Sequence, residues 1–445
     1  MTQKSFHARA TRGRASLAGE SAAPPLRSQL AHATTVLGEV LSFAQPADAV
    51  LSTYFRNNGK LGHRDRGFIA ENVYAVLRRL RWLQRLAGER ATARQLLLAW
   101  LARGEGWALR QFEGAINASE RSFLEGVKAV ALDGGTLAEE TDLPDWLVER
   151  LATTLDEASL RALAQALNRP APLDLRVNVL KTTREALLAA LVENGIEATA
   201  CPYSPQGVRL ASKPALQRDP RFLAGEFEVQ DEGSQLLGFL VQPRRGELVI
   251  DFCAGAGGKT LQLGALMRST GRLYAFDVAD KRLARMRPRA ARAGLSNLHP
   301  VHIDHERDAR AMKFAHKADR VLVDAPCSGL GTLRRNPDLK WRQSPESVAE
   351  MVQRQGAILA AAARLVRPGG RLVYATCSLL REENEGVVET FLAAQPEFVL
   401  RDAREVLAAQ KIELPAGAEG DAYFRLWPHV HHTDGFFAAV LERTQ

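Results

Sequence analysis

Apolar positions recur with a helical period from residue 27 to about 165. Leu30, Val36, Leu37, Val40 and Leu41 share one face, and Phe68, Ile69, Val73 and Leu77 share another. Leu96, Leu97, Leu98, Trp100 and Leu101 continue the series. This spacing predicts amphipathic helices packed as a bundle. Pro144 introduces a helix over 145–151, and a further helical stretch runs to Leu167. Pro170 and Pro172 mark a change of character. Leu175 to Asn178 then reads as a strand, Thr183 to Asn194 as a helix and Val208 to Leu210 as a strand, which makes a small α+β module over 172–226. From Phe227 apolar strands alternate with helices, at 247–252, 272–276, 298–303, 320–323, 371–375 and 436–441. That alternation predicts an α/β domain over 227–445 with a mostly parallel, doubly wound sheet. Residues 1–26, ending near Pro24-Pro25, read as a disordered arm.

The chain has 445 residues, which suits two or three domains, and 46% apolar residues suffice for real cores. The formal charge of +8 tilts towards a polyanionic partner, most simply nucleic acid, with a generic basic surface as the other reading. Lys4, Arg9, Arg12 and Arg14 lie in an acid-free start, read as a basic tail touching RNA more simply than as a transit peptide. Arg64-Asp65-Arg66 and Arg78-Arg79-Leu80-Arg81 concentrate charge around one helix, either to track phosphates or as a solvated face. The four cysteines are far apart and form no C-x-x-C pair, which argues against a disulfide scaffold or a zinc ribbon. His299, His302 and His305, and His429, His431 and His432, match no standard ligand spacing, so no metal is expected. No apolar run is long enough for a membrane span and no secretory signal is evident, so the expected setting is the cytoplasm, with reduced thiols.

The chemistry gathers at the tips of the predicted parallel strands. The first strand, ending at Phe252, runs into Cys253, Ala254, Gly255, Ala256, Gly257, Gly258, Lys259 and Thr260. A glycine-rich first loop lets backbone amides approach a ligand at a helix N-terminus. A phosphate loop would need glycine at position 253, and a dinucleotide fingerprint glycine or alanine at 260; both matches fail. Asp277 follows Gly257 by about twenty residues, the spacing of a carboxylate that holds ribose hydroxyls. Asp304 ends the third strand, where it would face an adenine edge, and Asp324 ends the fourth. Three acids at successive strand tips suit a nucleoside cofactor without polyphosphate; helix capping is the competing role for Asp277, and a purely structural role competes at Asp304. Two of the four cysteines lie in such tips as well, Cys327 in Asp324-Ala325-Pro326-Cys327-Ser328-Gly329 and Cys377 in Thr376-Cys377-Ser378. Their placement suggests thiol chemistry more than packing, although buried structural cysteines remain the alternative.

Together these stretches resemble the Sun/Nop family of RNA cytosine-5 methyltransferases and, within it, the RsmB-like rRNA enzymes. Val229-Gln230-Asp231-Glu232-Gly233-Ser234-Gln235, the loop 253–260, Asp277, both cysteine loops, Glu382-Glu383-Asn384-Glu385, Trp427-Pro428-His429 and Asp434-Gly435-Phe436-Phe437 carry the resemblance. The first loop departs from it, since much of the family has Ala-Pro before Gly-Gly where this chain has Gly255-Ala256. The resemblance implies a Rossmann-like methyltransferase domain, with S-adenosyl-L-methionine as cofactor. A small RNA-recognition-like module would precede it, and residues 27–165 more loosely resemble an all-α NusB-like RNA-binding domain. RNA, most simply small-subunit rRNA, is the implied partner, and a monomer is expected.

By the same resemblance Cys377 is the nucleophile, Cys327 assists release, Asp324 holds the cytosine ring as an acid and Lys259 positions the site. Carbon 5 of cytosine is a poor nucleophile. A thiolate added at carbon 6 makes the ring enamine-like, which splits one hard step into easier ones. DNA enzymes use a Pro-Cys nucleophile, which leaves the swapped assignment open. The target base must leave its stack to reach both thiols. Arg334, Arg335, Lys340 and Arg342, with Trp341 among them, are candidates to grip the flanking strand, or form an ordinary surface. The same reaction on tRNA, or a non-catalytic ribosome-assembly role, are the competing functions.

Overall fold

The computed structural model describes residues 27–132, 134–415 and 421–444; the basic arm expected over 1–26 lies outside them. The chain divides after Gly134 into two compact units.

The first unit is helical, with helices Arg27–Val40, Ala47–Asn57, His63–Arg78, Leu80–Ala87, Ala93–Ala99 and Ala118–Ala129. Thr92 and Asn117 start two of them with capping boxes completed by Gln95 and Glu120, which satisfy amide donors that no helical carbonyl reaches. Leu30, Val36, Leu37, Val40, Ile69, Val73, Leu77, Leu96, Leu97, Leu98 and Leu101 are buried, as their period predicts. Leu41, Phe68 and Trp100 stay partly exposed. Arg66 and Arg79 lie over the rings of Phe55 and Trp82, respectively.

The second unit opens with helices Leu137–Thr141, Asp145–Leu151 and Glu157–Leu167. Their Leu147, Leu151, Leu160, Leu163 and Leu167 pack against Leu330, Leu333, Leu379 and Leu380. Period alone groups these helices with the bundle, yet their apolar face is spent on the two segments that follow Cys327 and Cys377.

A four-stranded antiparallel sheet comes next, formed by β1 (Leu173–Val177), β2 (Ala198–Ala200), β3 (Gly207–Leu210) and β4 (Phe227–Val229) in the order β2-β3-β1-β4. Helix Arg184–Glu193, capped by Thr183, buries Leu187 and Leu191 against it.

The large sheet contains β5 (Leu248–Asp251), β6 (Arg272–Asp277), β7 (Leu298–His302), β8 (Ala318–Asp324), β9 (Val366–Thr376), β10 (Phe398–Arg401), β11 (Phe424–Leu426) and β12 (Phe436–Arg443). Its order is β10-β12-β9-β8-β5-β6-β7, with β11 paired to β12. Strands β5 to β9 run parallel, whereas β12 runs antiparallel between β9 and β10. Residues such as Ile250, Val321, Val323 and Leu372 fill one face of the sheet, and Val249, Leu322, Val373 and Val440 fill the other. Burial on both faces explains why these strands read as continuous apolar runs. The order reverses between β5 and β8, the switch point at which open α/β sheets place their ligands. No described helix is long and apolar enough to cross a membrane.

Candidate active site

The loop after β5 turns sharply into helix Gly258–Leu266. Gly257 takes φ 87°, and a Cβ there would lie 2.5 Å from Met286, so this position requires glycine. Gly255 also has positive φ, and its amide donates to Asp277 Oδ2 at 2.7 Å. Asp277 Oδ1 accepts from the Ala279 amide at 2.7 Å, just before helix Asp280–Ala293. Asp277 therefore fastens the glycine loop and forms the turn into the helix. Its carboxylate stays buried at the tip of β6.

Asp251, which the sequence reading passed over, is buried at the end of β5 and accepts from Thr260 Oγ1 at 2.6 Å. Its Oδ1 has no hydrogen-bond partner among the described residues. Burial, together with Asp324 and Asp277, raises its pKa to about 7 against the pull of Thr260 and Lys259. Burial and the same three acids hold the Cys253 thiol well above its ordinary range. An acid closing an apolar strand, as in Val249-Ile250-Asp251, was the available signal. Asp304 is different: it is exposed, and Arg310 holds its carboxylate at 2.6 Å.

The two cysteine loops meet. Cys327 Sγ and Cys377 Sγ are 3.4 Å apart, both partly buried. Lys259 Nζ donates to Asp324 Oδ2 at 2.7 Å and lies 5.6 Å from the Phe436 ring centroid. Burial opposes the charge on Lys259, but Asp324, and then Cys377 and Asp251, outweigh it and raise its pKa. Cys327 is held well above the thiol range, first by its hydrogen bond with Cys377 and then by burial and by Glu383. The loops are tied at close quarters. Gly331 N donates to the Cys377 carbonyl at 2.8 Å, and Gly435 N donates to the Gly331 carbonyl at 2.8 Å. Cys201, by contrast, is buried in the small module with its pKa raised chiefly by burial.

The basic residues beyond Cys327 are largely engaged with partners inside the protein. Arg334 is buried with Asp434, at 3.1 Å, and Arg335 bonds both Asp231 Oδ2, at 2.9 Å, and Asp434. Lys340 is 2% exposed and donates to Asn168 Oδ1 at 3.2 Å. Buried charges require partners, and these arginines spend theirs on holding the loop in place.

Arg176, in β1, donates through one nitrogen to Gln230 Oε1 and to the Gly258 carbonyl. A lone arginine in a short strand offered no sequence signal for this contact.

The glycine backbone, the buried carboxylate of Asp277 and the acids around Cys253 fit S-adenosyl-L-methionine, whose nucleoside offers hydroxyls and whose sulfonium is cationic. Residues 238–442 match the family model described as 16S rRNA methyltransferase RsmB/F. Residues 143–217 match the ferredoxin-like domain model of the same group. A probable ribosomal RNA small subunit methyltransferase B of Synechocystis is 34% identical over 83% of this chain and 82% of its own length. The ribosomal RNA small subunit methyltransferase B of Sodalis glossinidius is 32% identical over 88% and 95%, respectively. A crystal structure of a methyltransferase homolog protein from Pyrococcus horikoshii superposes with a TM-score of 0.60 at 28% identity, covering 70% of this chain and 100% of that one. The switch-point loop, the acids at the strand tips and these matches agree, and the chain belongs to the RsmB/F family of S-adenosyl-L-methionine-dependent methyltransferases.

Proposed function

We propose that this protein methylates carbon 5 of a cytosine in small-subunit rRNA, with Cys377 as nucleophile. The observation that carries this reading is the pair of thiols 3.4 Å apart at the tips of neighbouring parallel strands, beside the Lys259–Asp324 pair. The names of the relatives supply the RNA class.

Residues of the loop 253–258, with Asp277, would hold the cofactor, and Asp304 is proposed to face its adenine. Bound S-adenosyl-L-methionine would supply a methyl group on a sulfonium, the electrophile that carbon 5 requires. The chain's own residues do the rest. Lys259 places a positive charge within electrostatic reach of Cys377. The thiolate forms the Sγ–carbon 6 bond, and the displaced electron pair of the ring is met at N3 by a proton delivered through Asp324, the carboxylate to which Lys259 donates. Release requires a base to take the proton from carbon 5 while the Sγ–carbon 6 bond breaks, its electron pair returns to Cys377 and the N3 proton returns to Asp324. We assign that role to Cys327, whose sulfur lies 3.4 Å from that of Cys377. Its hydrogen bond with Cys377 holds its pKa up, and a thioether sulfur accepts more weakly than a thiolate once Cys377 is joined to carbon. Cys327 thus becomes easier to ionise at the stage that needs it.

The test is tritium transfer from methyl-labelled S-adenosyl-L-methionine to small-subunit rRNA and to tRNA, both lacking the modification, with wild type, Cys377→Ala and Cys327→Ala. The expected result is label on one rRNA cytosine, its loss in Cys377→Ala and a trapped protein–RNA adduct in Cys327→Ala. Undiminished transfer by Cys377→Ala would overturn the assignment, and label on tRNA alone would overturn the substrate.

A further inference from the structure

Glu383, in the short turn Arg381–Glu383, is fully buried. Its Oε1 accepts from the Ser328 amide at 2.8 Å and from Gln355 Nε2 at 3.0 Å. Its Oε2 accepts from the hydroxyls of Ser328 and Ser378. Ser328 follows Cys327 and Ser378 follows Cys377, so one carboxylate binds the neighbour of each thiol. Gln355 also donates to the Pro326 carbonyl at 2.9 Å, which fixes the far side of the Cys327 loop to helix Pro345–Ala363. The Glu383 carbonyl accepts from Tyr374 at 2.6 Å, which anchors the turn to β9.

A buried carboxylate is expensive, and no cation is among its hydrogen-bond partners in the described residues. Four neutral donors compensate the charge without cancelling it. A buried amide would tie the same loops without that cost, so the charge calls for its own explanation. Two thiolates 3.4 Å apart would repel strongly, hence one sulfur ionises first. The two sulfurs have different charged neighbours: the Glu383 carboxylate bonds the backbone amide next to Cys327 and reaches the Cys377 loop only through the Ser378 hydroxyl, whereas Lys259 lies within electrostatic reach of Cys377.

We propose that Glu383 is a positioning residue that holds the two cysteine loops in register and, by placing its negative charge on the Cys327 side, directs thiolate formation to Cys377. The inference rests on the reading of Cys377 as nucleophile, but its test needs no RNA.

The experiment is alkylation of the full-length protein by iodoacetamide across pH 6–10, with initial rates read separately for Cys327 and Cys377 by peptide mass spectrometry. Glu383→Gln keeps an oxygen for the Ser328 amide and Gln355, and its amide group donates to the two rotatable hydroxyls. The tie is thereby kept and the charge removed. In wild type Cys377 should react at lower pH than Cys327, by about tenfold in rate near neutrality, the equivalent of about one pKa unit. In Glu383→Gln that preference should shrink to about threefold or less, with the melting temperature nearly unchanged. Glu383→Ala should instead loosen both loops, lowering the melting temperature and methyl transfer together. An unchanged preference in folded Glu383→Gln overturns the proposal. So does equal or earlier reaction of Cys327 in wild type, a measurement that stands even if the variant does not fold. A failure of the nucleophile assignment is visible separately, as methyl transfer that survives Cys377→Ala.

Discussion

Arg176 donates to the Gly258 carbonyl at 2.6 Å, and so the small antiparallel sheet reaches into the first turn of the cofactor loop's helix. The guanidinium is buried, and burial lowers its pKa to about 10 although Glu228 opposes the shift. Arg176→Met removes the link while Glu228 retains Arg289 and Arg292. Affinity for S-adenosyl-L-homocysteine, measured by calorimetry, should fall about tenfold, about 1.4 kcal/mol, with a much smaller change in melting temperature.

Gly331 leaves no room for a side chain. A Cβ there would lie 2.2 Å from the Gly435 carbonyl oxygen and 2.7 Å from that of Cys377. Gly331→Ala must displace backbone on two sides, a cost of about 1–3 kcal/mol by the behaviour of overpacked sites. Its thermal midpoint should drop by several degrees, and methyl transfer should fall further than that loss of stability explains, because the Cys377 backbone moves.

Asp251 makes stability depend on pH. Its folded-state pKa, about 7, lies above the ordinary carboxylate range, chiefly through burial. The stabilising contribution of such a group is complete below about pH 4 and is lost as pH rises through about 7. Asp251→Asn, which resembles the protonated form, removes the dependence. Relative to wild type, the variant should gain melting temperature steadily between about pH 4 and pH 7 and level off above it, by at most a few kcal/mol in stability. A constant difference across that range would contradict this account.

Asp434 is buried between Arg334 and Arg335, and its pKa is raised to about 6 by burial and by Asp231, against the pull of both arginines. Asp434→Ala leaves one arginine with the shared Asp231 and the other poorly compensated. The expected cost is about 3 kcal/mol, the scale for a buried pair that loses one partner. Denaturant unfolding measures it, and restoration by Asp434→Glu would show that charge, not shape, is responsible.

Much of this architecture was legible from period alone. The strands at 248–251, 272–277 and 436–443 lie where apolar runs are bounded by Asp or Gly, because burial on both faces leaves few polar interruptions to blur them. The short strands Phe398–Arg401 and Phe424–Leu426 went unread, since three or four residues carry no period. The partners of the helices at 137–167 are not legible for a related reason: an amphipathic face says that it is covered, not by what. Cys327, Cys377, Asp324 and Lys259 were legible as a set and do converge. Glu383, Asp251 and Arg176 were not, because their meaning comes from partners far away in sequence, such as Ser328, Thr260 and Gly258.

The insertion of β12 between β9 and β10 has a consequence for synthesis. Strand β9 carries Cys377 at its tip, and one of its edges has no partner until residues 436–443 leave the ribosome. Gly435, which donates to Gly331 and so secures the loop between the cysteines, arrives at the same moment. During translation the nascent enzyme therefore holds an open, apolar strand edge, a template for pairing with other chains. Catalytic competence comes as one late event when that edge closes, so a ribosome stalled before position 436 would display a sheet able to aggregate but not to methylate.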